Sequence, residues 1–224
     1  IGALEFLLTL AQAWLCETPE AQRPCGRCGS CHLVRTRSHP DLCVLMPQAL
    51  RVSLGWADIG DDVDGSRSKK KPSRQIRIDE VRAAINWVVQ TSSRGRAEVR
   101  LLHPAETMNP QAASALLKTL EEPPGQARLV LSTRDPALLL PTLRSRCQQL
   151  RLTAPTPEAA CAWLSEQGVA DAPTLLAAAG GSPLDALALS TAGVDAAVWS
   201  ALPRALAQGR AAAFSGWPTP QLVA

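Results

Sequence analysis

The 224 residues contain no tyrosine, two phenylalanines, two methionines and three histidines. The missing tyrosine carries no functional reading, but other absences exclude whole classes. No apolar run approaches the length of a membrane-spanning helix. The segment Phe6-Leu7-Leu8 lacks the basic flank of a secretory signal. The net charge is only +3, too little to argue for nucleic acid by itself. No repeat of fixed period runs through the chain. Seven cysteines are present, and an all-disulfide framework would leave one over. Four of them cluster at metal-ligand spacing, which favours a metal in a reducing, cytoplasmic setting over a disulfide scaffold.

The chain is long enough for a sizeable core and more than one domain. Ile1–Leu15 already reads as an amphipathic helix, so the expectation is a domain whose opening strand is missing from these residues. A cysteine-rich loop, Cys16–Cys31, leads into a helix through Val34 and a turn at Ser38-His39-Pro40-Asp41. Leu42–Met46 reads as a strand. Periodicity is lost from Pro47 to Arg77, where Asp58, Asp61, Asp62 and Asp64 precede Arg67, Lys69, Lys70, Lys71 and Arg74. Such blocks make solvated loops, so a phosphate-binding role for the basic run is disfavoured. A helix is expected over Ile78–Val89, then a strand over Val99–Leu102. Alternating strands and helices imply an α/β fold with a mainly parallel, covered sheet. After the linker Ala154-Pro155-Thr156-Pro157 the pattern becomes wholly helical, over Glu158–Gln167, Pro173–Ala179 and Pro183–Ser190.

Ala112–Cys147 is the most specific stretch. Leu116, Leu117 and Leu120 give a helix one apolar face. Pro123-Pro124-Gly125 stops it, since proline has no amide donor and clashes with the preceding turn. Leu129-Val130-Leu131 reads as a strand covered on both faces. A short helix, Ser145-Arg146-Cys147 and an expected strand over Gln149–Leu152 follow. LLKTLEEPP and SRC at this separation resemble the bacterial DNA polymerase III clamp-loader family, within the AAA+ proteins, and most nearly its delta-prime type.

Cys16, Cys25, Cys28 and Cys31 stand in a C-x8-C-x2-C-x2-C pattern. Zinc takes four tetrahedral ligands and favours thiolate, and Gly26 and Gly29 relax the backbone inside each turn. Four protein ligands leave no open position for water, so the metal is expected to be structural. A redox pair would need only two of these thiols. His32 directly follows Cys31 and should point elsewhere. The same spacing belongs to the family resembled. Cys43, Cys147 and Cys161 sit in apolar or helical settings, as core thiols do. Trp14, Trp87 and Trp163 fall on expected helices and read as core.

The resemblance implies an AAA+ RecA-like domain over 1–153 with its N-terminal strand missing and a zinc-binding insertion at 16–31. A small all-helical lid at 154–192 would follow, with a linker or the start of a truncated collar domain at 193–224. It also permits three tests for ATP hydrolysis. No G-x-x-x-x-G-K-[ST] loop occurs in these residues. Hydrolysing members end the strand before LLKTLEEPP with Asp-Glu to hold magnesium; here that strand ends in His103-Pro104, and Glu106 falls two residues late. Such members carry an arginine in a G-S-x-R-D lid motif, where Leu184 stands in Gly181-Ser182-Pro183-Leu184-Asp185. Ser145-Arg146-Cys147 is retained. In the family its arginine reaches the nucleotide of a neighbouring subunit, and a guanidinium suits phosphate oxygens. On its own, Arg146 would read sooner as a surface arginine, or one paired with an acid such as Asp135; the surrounding block favours the finger.

The resulting expectation is a non-hydrolysing clamp-loader subunit with structural zinc and Arg146 as a finger in trans. The implied partners are gamma/tau ATPase subunits, delta, the sliding clamp and primer-template DNA. The alternatives are an active gamma/tau-type ATPase, which His103-Pro104 and Leu184 oppose, and a zinc-ribbon nucleic-acid-binding module.

Overall fold

The structure is a computed structural model that describes residues 2–56, 71–86 and 94–209. The expected residues Asp58, Asp61, Asp62, Asp64, Arg67, Lys69, Lys70 and Trp87–Val89 lie outside the described residues. Two compact units are present, Ala3–Gln149 and Leu150–Ala224, the second described as far as Gly209.

The first unit is built on three parallel strands, β1 (Leu42–Leu45), β2 (Glu98–Leu102) and β3 (Ala127–Leu131), in the order β1-β2-β3. Leu42 pairs with Val99 and Leu45 with Leu102; Glu98 pairs with Ala127 and Leu102 with Leu131. Side chains alternate across a strand, and β2 uses this fully. Val99 and Leu101 pack in one cluster with Leu7, Ala11 and Leu15 of α1 (Ala3–Leu15). Leu102 packs in the opposite one with α4 (Ile78–Asn86) and α5 (Pro110–Glu121) through Val81, Ala84 and Leu116. Every residue of β2 is buried. This is the covered, parallel α/β sheet expected from the alternating pattern.

Local chemistry sets the helix ends. Asn109 caps α5, its side chain accepting the Ala112 N–H at 2.8 Å, with Pro110 in the first turn. The Arg77 N–H donates to Glu80 Oε2 at 2.7 Å, an acid in the first turn of α4. The buried Arg100 ties β2 to α4; its side chain donates to the Ala84 carbonyl at 3.2 Å and to Glu98 Oε2 at 3.2 Å.

Two expectations fail here. The first is a strand at Gln149–Leu152. No ladder includes these residues among those described, and Leu150 is 73% and Leu152 45% exposed. A strand exists only through a hydrogen-bonded neighbour, and among the described residues β3 pairs with β2 alone. Leu129, Val130 and Leu131 are half-buried rather than buried, and they contact both clusters. The second is the patternless stretch after Pro47, which holds the short helix α3 (Gln48–Ser53) and a fully buried Ile76 bridged to Met108. Single turns of helix lack the length to display a period.

The second unit contains α7 (Pro157–Glu166), α8 (Ala172–Ala178), α9 (Pro183–Thr191) and α10 (Ala196–Ala207), following α2 (Gly29–Arg35) and α6 (Pro141–Arg144) of the first. Leu164, Leu175 and Ala186 form its core, with Cys161 and Trp163 packed alongside. Thr156 and Ser182 cap α7 and α9.

Candidate functional site

Cys16 lies just past the end of α1, and Cys28 is the N-cap of α2, which carries Cys31. Two turns between them aim the thiols inward. All four sulfurs lie within 4.8 Å of one another. Cys16 and Cys28 are 3.9 Å apart, Cys25 and Cys31 4.0 Å. A tetrahedron of sulfurs with bonds of about 2.3 Å to zinc has edges of about 3.8 Å, so the donor set fits the ion in number, type and spacing. This four-cysteine group can bind zinc. His32 is exposed and outside the group.

Backbone amides point at three of the four sulfurs. The Cys25 N–H points at Cys16 Sγ at 3.5 Å, the Cys28 N–H at Cys25 Sγ at 3.3 Å and the Cys31 N–H at Cys28 Sγ at 3.4 Å. Burial opposes the Cys16 thiolate, but the Thr18 hydroxyl and the Cys25 and Thr18 amides outweigh it and lower its pKa to about 6. The amides of Arg27 and Cys28 lower Cys25. Burial, reinforced by Cys28, pushes Cys31 up to about 12. The site therefore sets a prepared thiolate, Cys16, beside a thiol, Cys31, that a bound cation would deprotonate.

Away from this cluster, β2 runs into His103-Pro104. His103 Nδ1 lies 2.7 Å from Ser132 Oγ, and burial lowers the imidazole pKa below its usual value. Glu106 Oε1 accepts the Arg134 N–H at 3.4 Å, and its Oε2 is buried without a partner among the described residues. Leu184 is 37% exposed in the first turn of α9.

Arg146 follows α6 and is exposed, but its guanidinium turns back onto its own chain. It pairs with Glu121 at the end of α5 and donates to the Thr142 carbonyl at 3.0 Å and Ser145 Oγ at 3.3 Å. The partner is thus Glu121 rather than Asp135, whose carboxylate accepts the Ala137 N–H at 2.8 Å as a cap. Ser145 Oγ also donates to Thr142 O at 3.1 Å, and burial raises the half-buried Cys147 thiol. Burial likewise raises Cys43, which packs against the core of the sheet. The motif reading missed Glu121, although it stands inside LLKTLEEPP. It also missed Thr18, whose only signal is its place two residues after Cys16.

Comparisons with known proteins follow the same lines. The family model described as "DNA polymerase III, delta subunit" matches residues 1–156. The DNA polymerase III subunit delta' of Pseudomonas aeruginosa is 40% identical over 194 residues, 83% of this chain and 52% of that protein. Its Escherichia coli K12 counterpart is 34% identical over 192 residues, 84% of this chain and 51% of that protein. The DNA polymerase III subunit tau of Salmonella typhimurium is 31% identical over 199 residues, 85% of this chain and 27% of that protein. The chain spans about half the length of the delta' relatives it matches. With a family match across the whole sheet unit, the four-cysteine loop and Ser145-Arg146-Cys147, this chain belongs to the DNA polymerase III delta-subunit family, with delta' subunits among its relatives.

Proposed function

We propose that the chain acts as a non-hydrolysing AAA+ subunit of a clamp loader and lends Arg146 to ATP held by an adjacent subunit. The observation that carries this reading is a contrast within one unit. The loop after β2 presents a half-buried imidazole hydrogen-bonded to Ser132, followed by a proline, where a magnesium site needs carboxylates. Ser145-Arg146-Cys147 nevertheless keeps a guanidinium at an exposed position. A finger given in trans does not require its own subunit to turn over nucleotide.

The work of each residue follows from its chemistry. Arg146 would exchange Glu121 for the gamma-phosphate oxygens of the neighbour, where a planar, permanently charged group stabilises developing negative charge. Ser145 orients it through the Oγ contact to its NH1, and the half-buried Cys147 anchors the segment behind it. Cys16, Cys25, Cys28 and Cys31 would hold one zinc ion. Bound there, zinc supplies a structural crosslink and no open position for chemistry. The partners implied are gamma/tau ATPase subunits, delta, the sliding clamp and primer-template DNA, in the cytoplasm. Residues 154–192 would serve as the lid and 193–224 as a linker or the start of a collar.

The test is an assembly reconstituted with gamma/tau and delta subunits. Arg146→Ala should leave folding, zinc content and assembly intact and slow DNA-stimulated ATP turnover and clamp loading. A trans finger contributes roughly a thousandfold or more at the site it serves, diluted in the whole assembly by sites that keep their own. Arg144→Ala is the internal control and should do less. Normal assembly with an unchanged rate in Arg146→Ala would reduce the chain to a scaffold.

A further inference from the structure

Behind the four thiols runs a chain of polar side chains that the cysteine motif does not require. Glu17 follows Cys16, and Ser30, fully buried, precedes Cys31. Ser30 Oγ donates to Glu17 Oε1 at 2.9 Å. His39, 4% exposed, places Nε2 at 3.2 Å from Ser30 Oγ, while its Nδ1 accepts the Asp41 N–H at 3.1 Å. The acceptor role of Nδ1 puts the ring proton on Nε2. The direction of every bond then follows: Asp41 N–H to His39, His39 to Ser30, Ser30 to Glu17.

Both ends of this chain are tied to the sheet. Asp41 immediately precedes β1, and its carbonyl accepts the Val99 N–H of β2 at 2.9 Å. At the other end, Glu17 Oε1 accepts from Arg94 NH1 at 2.5 Å, and the Glu17 carbonyl accepts from Arg96 NH2 at 2.9 Å. Arg94 passes close to Gly29, where a Cβ would meet its NH1 at 3.3 Å. The loop thus leaves room for the arginine that holds it. Burying a serine and a histidine costs free energy unless each is hydrogen-bonded, and here both are.

We propose that Glu17, Ser30 and His39 form a brace that positions the metal ligands. The Glu17–Ser30 bond joins the neighbours of the first and last thiols, so it closes the loop across Cys16 and Cys31, the two buried ligands. His39 and Arg94 fix that closed loop against β1 and β2. The three are positioning residues: none supplies a ligand atom. The proposal rests on the zinc reading above.

The test uses the full chain loaded with zinc and a chromophoric chelator that competes for the metal. Ser30→Ala and Glu17→Gln are each expected to weaken zinc retention roughly tenfold, the scale of lost outer-shell partners. The double variant should lose clearly less than the sum of the two single losses, because both changes act on the shared Glu17–Ser30 bond. Cobalt-substituted protein should show shifted or broadened ligand-field bands in both variants. A role in stability alone would lower the unfolding midpoint and leave the cobalt spectrum and metal retention unchanged, which overturns the brace. So would fully additive losses. Should Ser30→Ala fail to fold, Glu17→Gln carries the test, since its carboxylate is 40% exposed. A wild-type chain that takes up no zinc removes the zinc reading itself; a wild-type chain with one zinc and variants that retain it equally removes the brace alone.

Discussion

The metal loop and the Arg146 segment belong to the same unit but are finished to different degrees. Between Cys16 and Cys31 every donor faces another donor, the backbone amides already point at sulfur, and a buried polar chain ties the loop to the sheet. Around Arg146 the guanidinium is satisfied by whatever lies nearby: an acid at the end of α5, a carbonyl and the next-door hydroxyl. Glu121 is well suited to hold it, because a carboxylate at a helix C-terminus lies at the negative end of the helix dipole and gains from a neighbouring cation. A site that completes itself within one chain shows its purpose in its geometry. Arg146, proposed to act on a neighbour's nucleotide, makes within this chain an ordinary surface ion pair.

The comparison breaks first at the metal. Cys28→Ser should abolish stoichiometric zinc binding, measured by metal analysis after dialysis, and loosen the loop from Cys16 to Cys31 in hydrogen exchange. The α7–α10 unit should keep its protection, because its core of Leu164, Leu175 and Ala186 is its own. Retention of one firmly bound zinc by Cys28→Ser would remove that thiol from the ligand set. Next comes the arginine. In the reconstituted assembly, Arg146→Lys should recover little of the turnover lost in Arg146→Ala, since an ammonium lacks the planar fork; full rescue would show that charge alone suffices.

A third prediction concerns protons. Cys16, lowered to about 6, is a thiolate at pH 7.5, whereas Cys31, raised to about 12, is a thiol. Zinc binding at that pH should therefore release fewer than four protons, with one from Cys31 and almost none from Cys16. Calorimetry in buffers of differing ionisation enthalpy counts them. As pH falls through about 6, Cys16 gains its proton and zinc affinity should drop more steeply. In the metal-free chain the same depressed pKa contributes stability that is complete above the ordinary thiol value of 9.0 and gone below about 6. Release of four protons at pH 7.5 would contradict the prepared Cys16 thiolate.

The smallest effect sharpens the contrast from the other side. Glu121→Gln should change the unfolding free energy of the isolated chain by no more than about 1 kcal/mol, because exposed ion pairs contribute little. Chemical denaturation measures this. A loss well above that would make the Arg146–Glu121 pair a structural element of the fold and not a resting contact.

How much of this was legible in advance varies with how local each feature is. The helices α1 and α5 announced themselves through apolar residues at helical spacing, and the proline pair after Glu122 marked the end of α5. The four thiols were legible because ligand spacing in a short loop is itself a geometric statement. Ser30 and His39 were not: one sits inside a Cys-x-x-Cys turn and the other in a His-Pro-Asp turn, and only folding brings them within 3.2 Å. The helix at Gln48–Ser53 was too short to show a period, and Gln149–Leu152 had the composition of a strand but joins no ladder among the described residues.

What this chain's sequence determined alone is therefore the set of elements with a repeating apolar face, the positions where proline and glycine end them, and a four-sulfur ligand set within one loop. These depend on neighbours a few residues apart, whose separation the backbone already limits. Only the tertiary structure decided that β2 lies between β1 and β3, that Arg146 rests on Glu121, and that His39 and Arg94 hold Ser30 and Glu17 behind the metal loop. Each of those depends on groups far apart in the chain, and no local pattern encodes their distance; it is set when the two apolar faces of the sheet are covered and the polar groups trapped there must find one another.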